Sequence, residues 1–309
     1  MSRPRHFLTI GDLTRAQLLA LLQDAAASKR DRRYGARALA GRIVALVFQK
    51  PSMRTRVAFE VAVWQQGGVA IYLGHDDVQL GQREPAKDAA RVLSRYADAI
   101  VARTFTHRDV EELAQYASVP VINGLSDQVH PCQALADLLT LQQQFKRLDG
   151  VRLAYIGDGN NVLHSLAEAC AVTGVSLAAA CPKGYQPDQP IWQRAVRLGK
   201  AHGAALTLAA SPRDAARGAD VLYTDVWVSM GQESERRKRQ QAFRGYQVNP
   251  ALLKAAKPGC RVMHCLPAHR GEEITDDVME GKHSLIFEQA ENRLHVQKAL
   301  LRLLLTKGR

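Results

Sequence analysis

The spacing of apolar positions predicts that the chain opens with a helix. Thr14 and Gln17 have capping-box spacing, Leu13 and Leu18 flank them as a hydrophobic staple, and Leu18, Leu19, Leu21, Leu22 and Ala25 continue on a helical repeat. Beyond it, short apolar runs at 43–48, 69–73, 97–101 and 119–122 alternate with segments of helical period. Alternation of this kind predicts a parallel sheet covered by helices. A second series starts at Val151 with Val-Arg-Leu-Ala-Tyr-Ile and continues through 175–181, 205–209, 221–224 and 261–265, predicting the same architecture again. Between the two series, 131–145 reads as one long helix ending near Asp149-Gly150, and 288–305 reads as a final helix. One stretch breaks the pattern. Residues 232–247 carry Arg236, Arg237, Lys238, Arg239 and Arg244, lack apolar periodicity, and are predicted to form a mobile surface loop.

A chain of 309 residues is long for one core and comfortable for two. The predicted class is therefore α/β with two domains, each a parallel sheet flanked by helices: residues 1–147, completed by the C-terminal helix 288–309, and residues 148–287. In open parallel sheets ligands bind beyond the carboxyl ends of the strands, so the active site is expected in the interdomain crevice.

Composition narrows the setting. No apolar run approaches the roughly 18 residues that span a bilayer, so no membrane partner is expected. The first residues, Met1-Ser-Arg-Pro-Arg-His6, lead into the helical pattern without the apolar core of a signal peptide, so a cytoplasmic location is expected. The net charge of +12 raises nucleic acid as a partner, but the basic residues are spread along the chain and aromatics make up only 6%. A basic solvated surface that attracts an anionic substrate fits better than nucleic acid. The cysteines, Cys132, Cys170, Cys181, Cys260 and Cys265, form no Cys-x-x-Cys pair, so neither a zinc nor a redox centre is expected.

Five constellations carry chemistry. The run at 43–48 leads into Gln49-Lys-Pro-Ser-Met-Arg-Thr-Arg56 and then a helical repeat; a helix start there favours an anion, with hydroxyls on Ser52 and Thr55 and a guanidinium fork on Arg54. A polar helix cap with surface arginines is the plain alternative. His130-Pro-Cys-Gln133 opens the next long helix and offers an imidazole and an amide suited to a carbonyl oxygen and an adjacent amino group, although a structural histidine reads the same way. Gly157-Asp-Gly-Asn-Asn161 sits where a dinucleotide fingerprint would sit, yet lacks its third glycine, so a nicotinamide cofactor is not expected. Asp225-Val-Trp-Val-Ser-Met-Gly231 and His264-Cys-Leu-Pro267 both follow apolar runs; an acid at such a place can hold an ammonium group, and Cys265 can position an amine or simply fill the core.

In joint order and spacing these strings resemble the ornithine carbamoyltransferase family. The resemblance runs from Ser52 to Arg56 through Gln79-Leu-Gly, residues 90–96, Arg103, His-Pro-Cys-Gln, Asp-Gly-Asn-Asn, Asp-Val-Trp-Val-Ser-Met-Gly, His-Cys-Leu-Pro and Glu291-Asn-Arg293, nearly the whole chain. The usual Ser-Thr-Arg-Thr-Arg has Met53 in place of threonine here, which removes one side-chain contact and leaves the Met53 backbone. The resemblance implies that Ser52, Met53, Arg54, Thr55, Arg103, Arg293 and, from a neighbouring subunit of a homotrimer, Gln79 hold the phosphate of carbamoyl phosphate. It implies that His130, with Arg103 and Thr55, polarises the carbamoyl oxygen, and that Gln133 and the backbone at Cys265 and Leu266 fix the amino end. Asn161, Asp225, Ser229 and Met230 would form the ornithine site; no general base is obvious, Cys265 with Asp225 offering one proton route and the leaving phosphate another. No metal or organic cofactor is implied, and the setting would be arginine biosynthesis. A sibling enzyme using aspartate, N-acetylornithine or putrescine, or a non-catalytic regulatory homologue, stands as the alternative. Aspartate enzymes usually carry Pro-Leu-Pro where this chain has Cys265-Leu-Pro267.

Overall fold

The computed structural model describes residues 5–81, 83–229 and 231–306, so the reading of the first four residues and the role given to Met230 lie outside the described residues. The chain forms two compact units, Met1–Leu139 with Glu291–Arg309, and Thr140–Ala290. The division falls within the helix Pro131–Phe145, and the helix Ile286–Leu305 likewise contributes to both units.

The first unit has a 3-10 turn at Ile10–Asp12 and then the helix Arg15–Arg30, whose N-cap Thr14 accepts from the Gln17 amide while the Gln17 side chain accepts from the Thr14 amide. Its sheet contains β1 (Ile43–Phe48), β2 (Val69–Leu73), β3 (Ala99–Arg103) and β4 (Val121–Leu125), all parallel, in the order β2-β1-β3-β4. Val44 to Phe48 are buried because helices cover both faces of a parallel sheet. The chain leaves β1 toward one side of the sheet and later returns to its other side, so the switch point lies between the carboxyl ends of β1 and β3. Val47, Ala90, Ile100, Val110, Leu113 and Val121 share one core on this unit. The C-terminal helix is tied to it by Arg302 on Asp24 at 2.6 Å and Lys29 on Glu291 at 2.9 Å.

The second unit holds β5 (Arg152–Ile156), β6 (Ser176–Ala180), β7 (Leu206–Leu208), β8 (Val221–Thr224) and β9 (Arg261–His264), again all parallel, in the order β7-β6-β5-β8-β9. Its switch point is between β5 and β8. The helix Asn161–Thr173 is buried from Val162 onward, so its apolar residues run all round rather than along one stripe.

Two readings of the sequence need correction. Stretch 232–247 is not an irregular loop: a 3-10 turn at Glu233–Glu235 leads into the helix Arg236–Ala242, and Phe243 is fully buried against Trp227, Tyr185 and Tyr246. The helix is too short to show a repeat, and its inward residue is Arg239, a charge that disguises the buried face. Strands β3 and β4 also start two residues later than the apolar runs that predicted them and end two and three residues later, because each continues through polar residues, Arg103 and Asn123, that are buried.

Candidate active site

Each switch point gathers functional side chains, one group per unit. In the first unit the chain turns after β1 into the helix Met53–Trp64, whose N-cap is Ser52: its hydroxyl accepts the Thr55 amide at 3.3 Å. Met53 points to solvent and Arg54 is half-buried, while Thr55 is fully buried and its hydroxyl accepts from Arg293 Nη2. Arg103 closes β3 across the switch point and is also buried. His130, buried, stands just before the helix Pro131–Phe145.

Electrostatics shows how tightly these cations are grouped. Burial, then the neighbouring Arg293 and Arg54, lowers the Arg103 guanidinium from its ordinary value to about 10. Burial, then Arg293, Arg103 and Arg54, holds the His130 imidazole well below its ordinary 6.5, so at neutral pH it is an uncharged ring with an N–H to donate. Burial and then Arg103 also lower Lys50, which lies over the Phe105 ring. The Arg103 Nε has no hydrogen-bond partner among the described residues. Such a cluster is costly when empty and is suited to a multiply charged anion.

Gln133 adds a directional element. Its Nε2 donates to Asp137 at 2.9 Å, which commits the amide nitrogen and leaves Oε1, buried and without a partner among the described residues, as an acceptor. An acceptor of that kind suits an amide N–H beside the anion. Gln79 does not join the group: it caps the helix His75–Val78 in a left-handed conformation at φ 45°, and its side chain makes no hydrogen bond to the arginines among the described residues.

The second unit presents the opposite charge. Asp225 follows β8 and is buried, with Oδ2 accepting Asn160 Nδ2 at 2.7 Å and Oδ1 accepting the Cys265 thiol at 2.9 Å and the Val226 amide at 2.8 Å. Asn160 in turn caps the helix Asn161–Thr173 by accepting the amides of Val162 and Leu163. One side chain thus bridges the turn after β5 and the turn after β8. Asn161, the first residue of that helix, and Ser229 are half-buried, and the Ser229 amide donates to Gln232. Gly159 permits the arrangement, since a Cβ there would stand 2.2 Å from the Pro187 nitrogen and 2.3 Å from the Gln186 carbonyl carbon.

Cys265 and Leu266, expected to help fix the carbamoyl group, belong to this second unit at the end of β9. Leu266 has φ 59°, a left-handed conformation that costs a leucine about 1–3 kcal/mol and occurs where surrounding contacts enforce it. Its amide donates to His264 Nδ1 at 2.8 Å, which puts the ring proton on Nε2, facing Glu273 Oε1 at 3.1 Å. Asp225, His264 and Cys265 each bring one potential metal-ligand atom within 4.8 Å of the others, as do His269, Glu272 and Glu273. In the first trio, hydrogen bonds already engage Asp225 Oδ1 and both ring nitrogens of His264.

The sequence motifs contain Asp158, Asn160 and His264, but not their pairing with Arg239, Asp225 and Glu273. The signal for Asn160 was present, because an asparagine just before a helical repeat is a favoured N-cap. Glu273 gave none.

Sequence models described as "Aspartate/ornithine carbamoyltransferase, carbamoyl-P binding domain" and "Aspartate/ornithine carbamoyltransferase, Asp/Orn binding domain" match residues 5–143 and 149–304. The cationic group falls in the former except for Arg293, and the Asp225 group falls in the latter. An ornithine carbamoyltransferase of Acidothermus cellulolyticus is 56% identical over 302 residues, 97% of this chain and 96% of its own. One from Thermococcus kodakarensis is 50% identical over 303 residues, 97% of this chain and 96% of its own. The solved ornithine carbamoyltransferase from Pyrococcus furiosus matches with a TM-score of 0.96 at 49% identity, covering 99% of both chains. From its two matched domains and its relatives, the chain belongs to the aspartate/ornithine carbamoyltransferase family.

Proposed function

We propose that the chain transfers the carbamoyl group of carbamoyl phosphate to the δ-amine of L-ornithine, releasing L-citrulline and phosphate. The observation that carries this reading is the opposed polarity of the two switch points: buried arginines around a neutral imidazole on one unit, a buried carboxylate on the other. The relatives named as ornithine carbamoyltransferases support the choice of acceptor.

In this reading Ser52, the Met53 backbone, Arg54, Thr55, Arg103 and Arg293 hold the phosphate. A dianion relieves the mutual repulsion that lowers Arg103. His130 donates to the carbamoyl oxygen while uncharged, and the arginines beside it stabilise the negative charge that develops there. Gln133 Oε1 accepts from the carbamoyl amino group, assisted by the backbone of Cys265 and Leu266. Asp225 holds the α-ammonium of ornithine, with Asn161, Ser229 and Met230 on the remaining polar groups. The neutral δ-amine attacks the carbamoyl carbon, the tetrahedral species collapses, and phosphate leaves. An alkyl amine titrates near ~10.4 in water, so the attacking amine must shed a proton, and the Cys265–Asp225 hydrogen bond is one path for it.

The active assembly in this reading is a homotrimer in which Gln79 reaches the phosphate of the adjacent subunit. Supporting it, Met53, Val57 and Trp64 lie exposed along one face of their helix, and Val69 and Ile71 are exposed on the edge strand β2, a broad apolar surface for one subunit to leave in water. The setting proposed is cytoplasmic arginine biosynthesis. The test is product analysis with purified protein, corrected for the spontaneous breakdown of carbamoyl phosphate: citrulline and protein-dependent phosphate in equal amounts from carbamoyl phosphate and ornithine, with neither formed when ornithine is omitted. Protein-dependent phosphate release without citrulline would overturn the proposal.

A further inference from the structure

Within the basic string Arg236-Arg237-Lys238-Arg239 three residues are exposed and one, Arg239, is buried. Its Nη1 donates to Asp158 Oδ2 at 2.8 Å and to the Trp227 carbonyl at 2.9 Å. Its Nε donates to Glu235 at 3.2 Å, and its guanidinium carbon lies 4.9 Å from the centre of the Tyr185 ring. Taking a guanidinium and a carboxylate out of water costs about as much as their attraction returns, so such a pair contributes little to net stability. What it contributes here is geometry.

The two groups held by Nη1 come from different strand ends. Asp158 lies two residues before Asn160 in the turn after β5, and Trp227 lies two residues after Asp225 in the turn after β8. Asn160 and Asp225 are the pair that meet across the switch point. Arg239 therefore braces both sides of the bridge that orients Asp225, from a helix that touches neither Asn160 nor Asp225 through any hydrogen bond among the described residues. Phe243, one turn further, stacks on the Trp227 ring at 5.9 Å and anchors the brace in a small core with Val228. Burial raises the Asp158 carboxyl to about 6, and Arg239 opposes the rise.

We propose that Arg239 is a positioning residue for acceptor binding: it fixes the separation of the two strand-end turns and so sets the affinity for the acceptor's ammonium group. This rests on Asp225 anchoring the acceptor amine, and the experiment separates the two claims.

Arg239→Met and Arg239→Lys are assayed for citrulline against ornithine concentration, alongside inorganic phosphate binding by calorimetry and thermal unfolding. Arg239→Met is expected to raise the KM for ornithine at least tenfold, with kcat within about threefold of wild type and phosphate affinity unchanged. Arg239→Lys, which keeps a charge for Asp158 and Trp227 but loses the Nε bond to Glu235 and the planar guanidinium over Tyr185, is expected to recover only part of the KM. Arg239→Met/Asp158→Asn removes the stranded carboxylate, so it should restore thermal stability while the KM stays raised. This double variant also serves if Arg239→Met alone fails to fold. An unchanged ornithine KM in the folded variants, with any loss confined to stability or kcat, would overturn the proposal, as would full recovery of the KM in the double variant. If the wild-type chain makes no citrulline at all, it is the assignment of the acceptor that fails.

Discussion

Arg103 is where stability and binding pull apart. Its guanidinium falls from its ordinary value to about 10 in the folded chain, so folding disfavours the charged form at every pH below about 10, and that cost fades only as pH rises above about 10. The shift corresponds to a cost on the order of a few kcal/mol at neutral pH. Arg103→Met keeps much of the aliphatic stem and removes the charge, and no side-chain hydrogen bond of Arg103 among the described residues is lost with it. The ligand-free variant should therefore unfold several degrees above wild type, since 1 kcal/mol moves Tm by roughly 2–4 °C in proteins of 150–250 residues. Binding should move the other way. Two charge-assisted hydrogen bonds to phosphate, at about 1.5–3 kcal/mol each, correspond to a loss of at least a hundredfold in affinity. The assay is differential scanning calorimetry at pH 7 with and without inorganic phosphate: phosphate raises the wild-type Tm and leaves the variant's almost unmoved. A variant that melts below wild type without ligand and still gains the full shift with phosphate would refute this reasoning.

Gln133→Met removes the free acceptor Oε1, so kcat/KM for carbamoyl phosphate should fall by about a hundredfold while inorganic phosphate, which has no amino end, binds as before in calorimetry. Gly159→Ala places a methyl 2.2 Å from the Pro187 nitrogen and must displace the turn that carries Asn160; the ornithine KM should rise more than tenfold and Tm should fall, with phosphate binding intact. Arg54→Ala and Gln79→Glu should each be inactive alone, yet unfolded and refolded together in equal amounts they should regain about a quarter of wild-type citrulline formation, because in a cyclic trimer one site of each mixed assembly takes both residues intact. No recovery despite confirmed mixed trimers would deny Gln79 its place at the neighbour's phosphate.

The parallel sheets were legible because their strands are short apolar runs bounded by turn residues; Ile43–Phe48, Val69–Leu73 and Val221–Thr224 coincide with the runs that predicted them. Legibility failed where a strand or helix buries polar or charged side chains. Arg103 and Asn123 extend β3 and β4 past the apolar signal, and Arg239 turns the inward face of Arg236–Ala242 into what reads as solvated basic surface. The same rule divides the site. Residues that begin a helix, such as Ser52 and His130, announce themselves by local spacing. The Asn160–Asp225, Asp158–Arg239 and His264–Glu273 pairs join residues 9 to 81 positions apart, and no local pattern encodes such a meeting.

The central claim is that Asp225 reads the α-ammonium of ornithine while the arginine group on the other unit handles carbamoyl phosphate independently. The most direct measurement is kcat/KM for ornithine, putrescine, N-acetylornithine and aspartate in wild type and in Asp225→Ala, with phosphate affinity by calorimetry for both. Wild type should favour ornithine over the other three by a hundredfold or more, and Asp225→Ala should lose most of its activity with ornithine while binding phosphate normally. Comparable kcat/KM for ornithine and putrescine in the wild-type protein, or equal loss of ornithine use and phosphate affinity in the variant, would contradict the account.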